Sequence, residues 1–315
     1  MKPEILFLKQ EDVIKAGLLD MKMVLAETEK TFKMIGQNQI INPTKVFLGM
    51  PSDENWDSYC MSMPAYIGGD VDTAGFKWAA ESKANSQLEG VPYGIDIVVL
   101  SDPKTVFPKA ILDGTITTAM RTSATAGVMA KYNALKGTKI ACLVGAGVIG
   151  RTMIMAMKEA VPTLEEIHMT DLVIEKAEGL AKEFEGQIKV VPYSNVEEAL
   201  KGAQLLVTET TSRKPFIKKE WLQPNMTVIQ VEGQSCEEDI LLTADRIVLD
   251  NWSQMSHLTG ILVCQLCKAG KLKKEDVVEL PDMVNGVAVR QNEDQFVYCG
   301  SAGVGSVDIM LAAKL

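Results

Sequence analysis

The sequence predicts an α/β chain built from two domains. Three observations carry that prediction: a glycine-rich turn between an apolar strand and a helix, an alternation of strands and helices after residue 138, and a run of consecutive strand-like segments before it.

The turn comes first. Lys139-Ile140-Ala141-Cys142-Leu143-Val144 leads into Gly145-Ala146-Gly147-Val148-Ile149-Gly150, and helix-forming residues follow from Arg151. In a strand–GxGxxG–helix unit the first glycine makes the turn, the second lets backbone approach a pyrophosphate, and the third allows close helix–strand packing. The unpaired N–H groups and dipole of the helix N-terminus favour the phosphates. Asp171 closes the next candidate strand, and an acid about 20 residues on suits a ribose 2′-hydroxyl. No Arg or Lys lies between it and Lys176, so a 2′-phosphate would be repelled; the expected cofactor is NAD, not NADP. The competing reading is a turn that serves strand–helix packing alone.

The alternation is consistent with this. Candidate strands cover 139–144, 166–171, 188–191, 205–208, 227–231 and 246–249, with helical stretches such as 175–184 and 196–200 between them. Strands separated by helices form a parallel sheet covered on both faces, and six of them fit a Rossmann dinucleotide-binding domain. Upstream, a helix over 21–34 precedes strand-like runs at 44–48, 58–63, 73–80 and 94–100. Short turns between consecutive strands predict an antiparallel sheet. A long helix over 116–135 leads into the Rossmann domain, so the first part reads as a second, α+β domain that supplies a substrate surface.

Bulk properties narrow the classes. The chain has 315 residues, 47% of them hydrophobic, and a net charge of −9. That balance argues against nucleic acid and anionic membranes as partners. The N-terminus lacks the apolar core of a signal peptide, and no stretch is apolar enough to span a bilayer, so the expected compartment is the cytosol. The six cysteines are expected to be reduced and structural. Cys264 and Cys267 form a CxxC without a second pair at zinc spacing, and His168 lies within a candidate strand; no metal site is expected.

Two cations stand out. In Gly75-Phe76-Lys77-Trp78-Ala79-Ala80, strand alternation puts Phe76, Trp78 and Ala80 on one face and Lys77 on the other, between small residues that leave room for a ligand. An ordinary solvated strand lysine is the alternative. Arg121 sits in Thr117-Thr118-Ala119-Met120-Arg121-Thr122-Ser123-Ala124, a stretch poor in charge and rich in small side chains, unlike a solvated face. Its planar fork can hold a carboxylate bidentately. An internal ion pair with a protein carboxylate is the alternative.

These residues bring a family into view. Met63-Pro64-Ala65-Tyr66 followed by Gly75-Phe76-Lys77-Trp78, Asp113-Gly114-Thr115 leading to Arg121-Thr122-Ser123-Ala124, the turn at 145–150, and the tail Gly300-Ser301-Ala302-Gly303-Val304-Gly305-Ser306-Val307-Asp308 together resemble the ornithine cyclodeaminase/mu-crystallin family nearly end to end. Asn42-Pro43-Thr44-Lys45 and Ile67-Gly68-Gly69 are similar to a branch of that family known as tyramine oxidase components, a label that says little about the reaction. The resemblance implies that residues 1–130 and 296–315 form one discontinuous α+β substrate and dimerisation domain around a Rossmann NAD-binding domain at 131–295. It implies a homodimer, bound NAD, and hydride transfer at the α-carbon of an amino or imino acid. It assigns Lys77 and Arg121 to the substrate carboxylate, with Lys45 where many relatives carry an arginine. It assigns Thr122, Gly145, Ala146, Gly147, Val148, Ile149, Gly150, Asp171, Thr210 and Ser301 to the cofactor.

One departure matters. Cyclodeaminases carry a catalytic aspartate after the fifth Rossmann strand; gapless alignment puts Gln234 there, and glutamine cannot act as a general base. Glu232 is the nearby substitute. The sequence therefore favours a net redox reaction on a C–N bond, an amino-acid dehydrogenase or ketimine reductase. An ornithine cyclodeaminase using NAD catalytically and a non-catalytic NAD-binding protein of mu-crystallin type remain the alternatives.

Overall fold

The computed structural model describes residues 4–50, 58–231 and 233–315. The chain divides into two compact units, Met1–Arg121 with Val304–Leu315, and Thr122–Gly303. In chain order the first stretch contains β1 (Leu6–Leu8), α1 (Gln10–Val13), α2 (Met21–Gly36), β2 (Ile40–Ile41), β3 (Val46–Gly49), β4 (Ser58–Ile67), β5 (Thr73–Ser82), β6 (Gly94–Ser101), β7 (Pro108–Asp113) and α3 (Thr115–Asn133). The second contains β8 (Ile140–Val144), α4 (Val148–Ala160), β9 (Glu166–Thr170), α5 (Ile174–Glu183), β10 (Lys189–Tyr193), α6 (Val196–Leu200), β11 (Leu205–Thr208), β12 (Thr227–Gln230), α7 (Glu238–Leu242), β13 (Arg246–Leu249), α8 (Trp252–Met255), α9 (Leu262–Lys268), β14 (Val277–Glu279), α10 (Leu280–Val284) and β15 (Val297–Gly300). The helix α11 (Gly305–Lys314) closes the chain.

The first unit is built on a sheet ordered β1-β7-β6-β5-β4-β2, with β3 also paired to β4. β4, β5, β6 and β7 run antiparallel to their neighbours, and β1 joins β7 in parallel. Alternation gives it one buried face. In β6, Asp96, Val98 and Leu100 are buried while Ile95 and Ile97 are exposed. α11 lies against β4, β5 and β6 on the buried side. Two glycines permit this approach. A Cβ at Gly305 would lie 2.4 Å from the Met63 carbonyl oxygen, and one at Gly75 would lie 2.3 Å from that of Val99 and 3.4 Å from Ile309. The space beside Lys77 on the Gly75 side, expected from the sequence to admit a ligand, is thus filled by the β6 backbone and α11.

The second unit holds eight parallel strands in the order β10-β9-β8-β11-β12-β15-β13-β14. β11, β12 and β15 are buried along their whole length and β8 nearly so, as expected of a parallel sheet covered on both faces. The first six positions follow the Rossmann order. The sixth position is taken by β15 and not by the strand at 246–249, which is β13 and packs outside it. Val297-Tyr298-Cys299-Gly300 is too short to stand out as a pattern, yet it pairs on both sides. Residues 296–303, grouped with the N-terminal domain on sequence grounds, therefore lie in the second unit. Likewise the unit boundary falls inside α3, after Arg121.

All six cysteines are free thiols, Cys264 and Cys267 lying within α9. His168 is buried in β9, held between the Ala199 carbonyl at 2.6 Å and the Glu166 carboxylate at 3.0 Å. Among the described residues no helix is long and apolar enough to cross a membrane.

Candidate active site

In the first unit, β5 alternation aims Lys77 into the buried face, where it is 1% exposed. That burial removes the solvated-lysine reading. Lys77 donates to Thr118 Oγ1 at 3.1 Å and lies 3.3 Å from Asp308 Oδ1 and 3.7 Å from Asp96 Oδ2. Arg121, on the next turn of α3 after Thr117 and Thr118, donates from Nε to the same Asp308 oxygen at 3.2 Å. Two cations from a strand and a helix thus converge on one carboxylate supplied by α11. Thr118 in turn donates to Asp96 Oδ2, and the Ala80 N–H donates to Asp96 Oδ1 at 3.2 Å. Asp308 Oδ2 is buried with no partner among the described residues.

The energetics follow from burial. Desolvation pushes the Lys77 ammonium below the ordinary lysine range, Arg121 pushes it further, and Asp308 and Asp96 oppose the shift. Buried charges are tolerable only when paired and hydrogen-bonded. Asp308 and Asp96 are therefore the residues that let Lys77 and Arg121 stand where they do. The ion pair that the sequence left as an alternative for Arg121 exists, and it fixes the orientation of the guanidinium. Lys45 is half-buried just before β3; the segment is tied to α11 by Asn42 Oδ1, which accepts the Ser306 N–H at 3.2 Å.

In the second unit, the strand register lines up the cofactor candidates. Thr170, Val144, Thr208, Gln230 and Gly300 pair across neighbouring strands, so Asp171, Gly145, Glu209 and Ser301 each start a loop at the same edge of the sheet. Backbone bonds extend the row: Gly145 N–H to Thr170 O at 2.8 Å, Glu209 N–H to Val144 O at 2.9 Å, and Ser301 N–H to Gln230 O at 3.0 Å. This is the carboxyl edge of a parallel sheet, where such folds bind ligands. Thr210 follows Glu209 on the same side, and its Oγ1 accepts the Ser212 N–H at 3.2 Å. Thr122 is buried in α3, next to Ser123, whose Oγ meets Thr152 Oγ1 of α4 at 2.7 Å.

The three glycines of the turn answer to different constraints. Gly145 has φ +115°, and a Cβ there would lie 1.9 Å from the Glu209 carbonyl oxygen. A Cβ at Gly150 would lie 2.1 Å from the Gly145 oxygen. Both are required by the fold. Gly147 has φ −82°, and a Cβ there would meet nothing within 4 Å. The fold has no need of a glycine at 147, but a phosphate brought against the backbone does. No side chain caps α4, so Ala146, Gly147, Val148 and Ile149 present an N-terminus suited to an anion. Asp171 accepts the Ala146 N–H at 2.8 Å on Oδ2 and the Val173 N–H at 3.0 Å on Oδ1, which ties it to the turn. A carboxylate offers about four acceptor positions, so capacity remains for a ribose hydroxyl. The residues present fit a dinucleotide.

The position near the cyclodeaminase aspartate is held as glutamine. Gln234 Nε2 donates to the Gly260 carbonyl. Glu232, the proposed substitute, lies outside the described residues. Sequence reasoning missed Asp96 and Thr118 altogether and saw Asp308 only as part of a tail motif. The signals were present: an acid on the inner face of a strand otherwise apolar there, and a lone acid in the apolar run Gly305-Ser306-Val307-Asp308-Ile309-Met310-Leu311.

A Rossmann sheet with a glycine turn fitted to a diphosphate defines a dinucleotide-binding protein. The chain belongs to the ornithine cyclodeaminase/mu-crystallin family, matching it over residues 4–315. It is 26% identical over 318 residues to the N-((2S)-2-amino-2-carboxyethyl)-L-glutamate dehydrogenase of Staphylococcus aureus, covering 99% of this chain and 94% of that protein. Its fold is similar to that of Thermococcus litoralis Delta(1)-pyrroline-2-carboxylate reductase in complex with NADH and L-proline, with TM-score 0.88, 26% identity, and coverage of 98% of this chain and 96% of that one. An archaeal alanine dehydrogenase dimer with bound NAD matches with TM-score 0.85 and 26% identity, covering 98% of this chain and 94% of that one.

Proposed function

We propose that this chain is an NAD(H)-dependent oxidoreductase acting on the C–N bond at the α-carbon of an amino or imino acid. The observation that carries the reading is the convergence of Lys77 and Arg121 on Asp308. Paired cations oriented by a buried acid suit a carboxylate-bearing substrate, and the relatives act on such molecules. Arg121 supplies a planar fork, Lys77 a point charge, and Lys45 a further charge without the fork. Asp308 holds both buried cations in place. When bound, the nicotinamide supplies or accepts the hydride.

Proton handling separates the two directions. Reduction of a protonated imine needs no further acid. Oxidation requires the amine to lose a proton, and Lys77, whose proton is held less tightly because of burial, is a group suited to take it. Gln234 cannot perform that step, which supports net redox chemistry over cyclodeamination. Glu232 stays a candidate base on sequence position.

The preference for NAD rests on Asp171, and a homodimer on the opposite sheet face. Val46, Leu48, Ile95 and Ile97 are exposed together on the side away from Lys77, a patch that a second copy would cover. The test is turnover of a panel of amino and keto acids with ammonia, followed by NADH absorbance and ammonia release, on protein whose mass in solution is measured alongside. Stoichiometric NADH consumption or formation by a two-chain species is expected. Ammonia released from ornithine with no net NADH change would establish cyclodeamination instead, and nucleotide binding without any turnover would establish a non-catalytic protein.

A further inference from the structure

The sheet face that buries Lys77 carries a second acid that the reaction above does not use. Along β5, Lys77, Ala79 and Glu81 share one face. The register places Met61 and Asp96 on either side of Ala79, and Tyr59 and Gly94 on either side of Glu81. The Tyr59 hydroxyl donates to the Glu81 carboxylate, and Phe47 stacks on the Tyr59 ring with centroids 4.7 Å apart. Glu81 is therefore held on the same face as the two cations, about 13 Å from Lys77 measured along the strand at Cα.

The surroundings resemble the far end of a substrate channel more than a structural ion pair. Between Lys77 and Glu81 stand Ala79, which is small, and Met61, which is adaptable. Beside Glu81 there is only Gly94, where a Cβ would lie 3.4 Å from the Glu81 Cγ. Burial pushes the Glu81 carboxyl above the usual carboxylate range and Asp96 adds to this, while Tyr59, Lys77 and Arg121 oppose it. A carboxylate with its first donor in place still has about three acceptor positions, and in a half-buried setting a cationic donor is the partner that relieves it best.

We propose that Glu81, positioned by Tyr59, selects substrates with an amino group at the distal end of the side chain. This rests on the reading that Arg121 and Lys77 hold the α-carboxylate; the side chain then runs along β5 past Ala79 and Met61, and its terminal ammonium meets Glu81. A site built around a buried hydrogen-bonding group rejects the analogue that lacks the matching donor.

The experiment compares kcat/KM for lysine and ornithine with that for norleucine and norvaline, their counterparts without the distal amine, in the wild type, Glu81→Gln and Tyr59→Phe. The wild type is expected to favour the diamino acids on the order of 10- to 100-fold, the range of a charge-assisted hydrogen bond. Glu81→Gln, nearly isosteric, should reduce that ratio at least tenfold, and Tyr59→Phe, which frees the carboxylate without removing it, by a smaller factor. A ratio unchanged by Glu81→Gln, or a wild-type preference for the apolar acids, overturns the inference. If Arg121→Ala still abolishes use of all four acids in that case, the carboxylate reading survives and only the role of Glu81 fails. If Arg121→Ala affects none of them, or no acid turns over, both fall.

Discussion

The two units hold polar groups in opposite ways. The sheet of the second unit is apolar through its strands, and its polar candidates sit where the strands end, on loops and on a helix N-terminus. The sheet of the first unit carries ions within its inner face, with Lys77, Asp96 and Asp308 at most 5% exposed. The difference is one of chemistry. A diphosphate can be held by backbone N–H groups that need only glycine and an uncapped helix. A carboxylate needs side-chain cations, and cations buried in a sheet face need acids of their own.

The largest expected effect tests the dependence of the first unit on those acids. Asp308→Ala leaves Lys77 and Arg121 buried without their shared partner, and should lower stability by about 3–5 kcal/mol, read as a fall in Tm or in the denaturation midpoint. Asp70→Ala, which removes a pair with Lys30 on the surface, should barely move either quantity. Equal effects from the two would mean that the buried cluster is not electrostatically special.

A smaller effect tests the second unit. Gly147→Ala should leave the Tm unchanged, because nothing lies within 4 Å of the added methyl, yet weaken NADH binding on the order of tenfold, about 1.4 kcal/mol. Fluorescence titration of NADH and a thermal melt on the same protein read both. Undiminished NADH affinity would show that the turn serves packing alone.

The same contrast explains what could be read from the sequence. The second unit was legible because its determinants are local: the glycine spacing, the acid after the next strand, and apolar runs that need covering on both faces. Its error, β13 taken for the sixth strand, arose because β15 is four residues long and comes from beyond the helices that follow β13. In the first unit, β4, β5 and β6 were legible from alternation and α3 from its length, while β1 and β7 were not recognised. Lys77 and Arg121 could be singled out by their small neighbours. Their partners could not, because Asp308 is 187 residues from Arg121 in the chain and only the packing of α11 on the sheet brings them together. Glu81 carries no local signal at all; its alignment with Lys77 appears only once the register is known.

The central claim is a division of labour: side-chain cations in the first unit for the substrate carboxylate, and backbone in the second for the dinucleotide. It is tested most directly by measuring NADH affinity and substrate kcat/KM together in Arg121→Ala. Substrate kcat/KM is expected to fall on the order of a hundredfold or more, as when one partner of a buried charged contact is truncated, while the NADH Kd stays within about twofold of the wild type. An equal loss of NADH affinity, or an unchanged kcat/KM, would contradict the account.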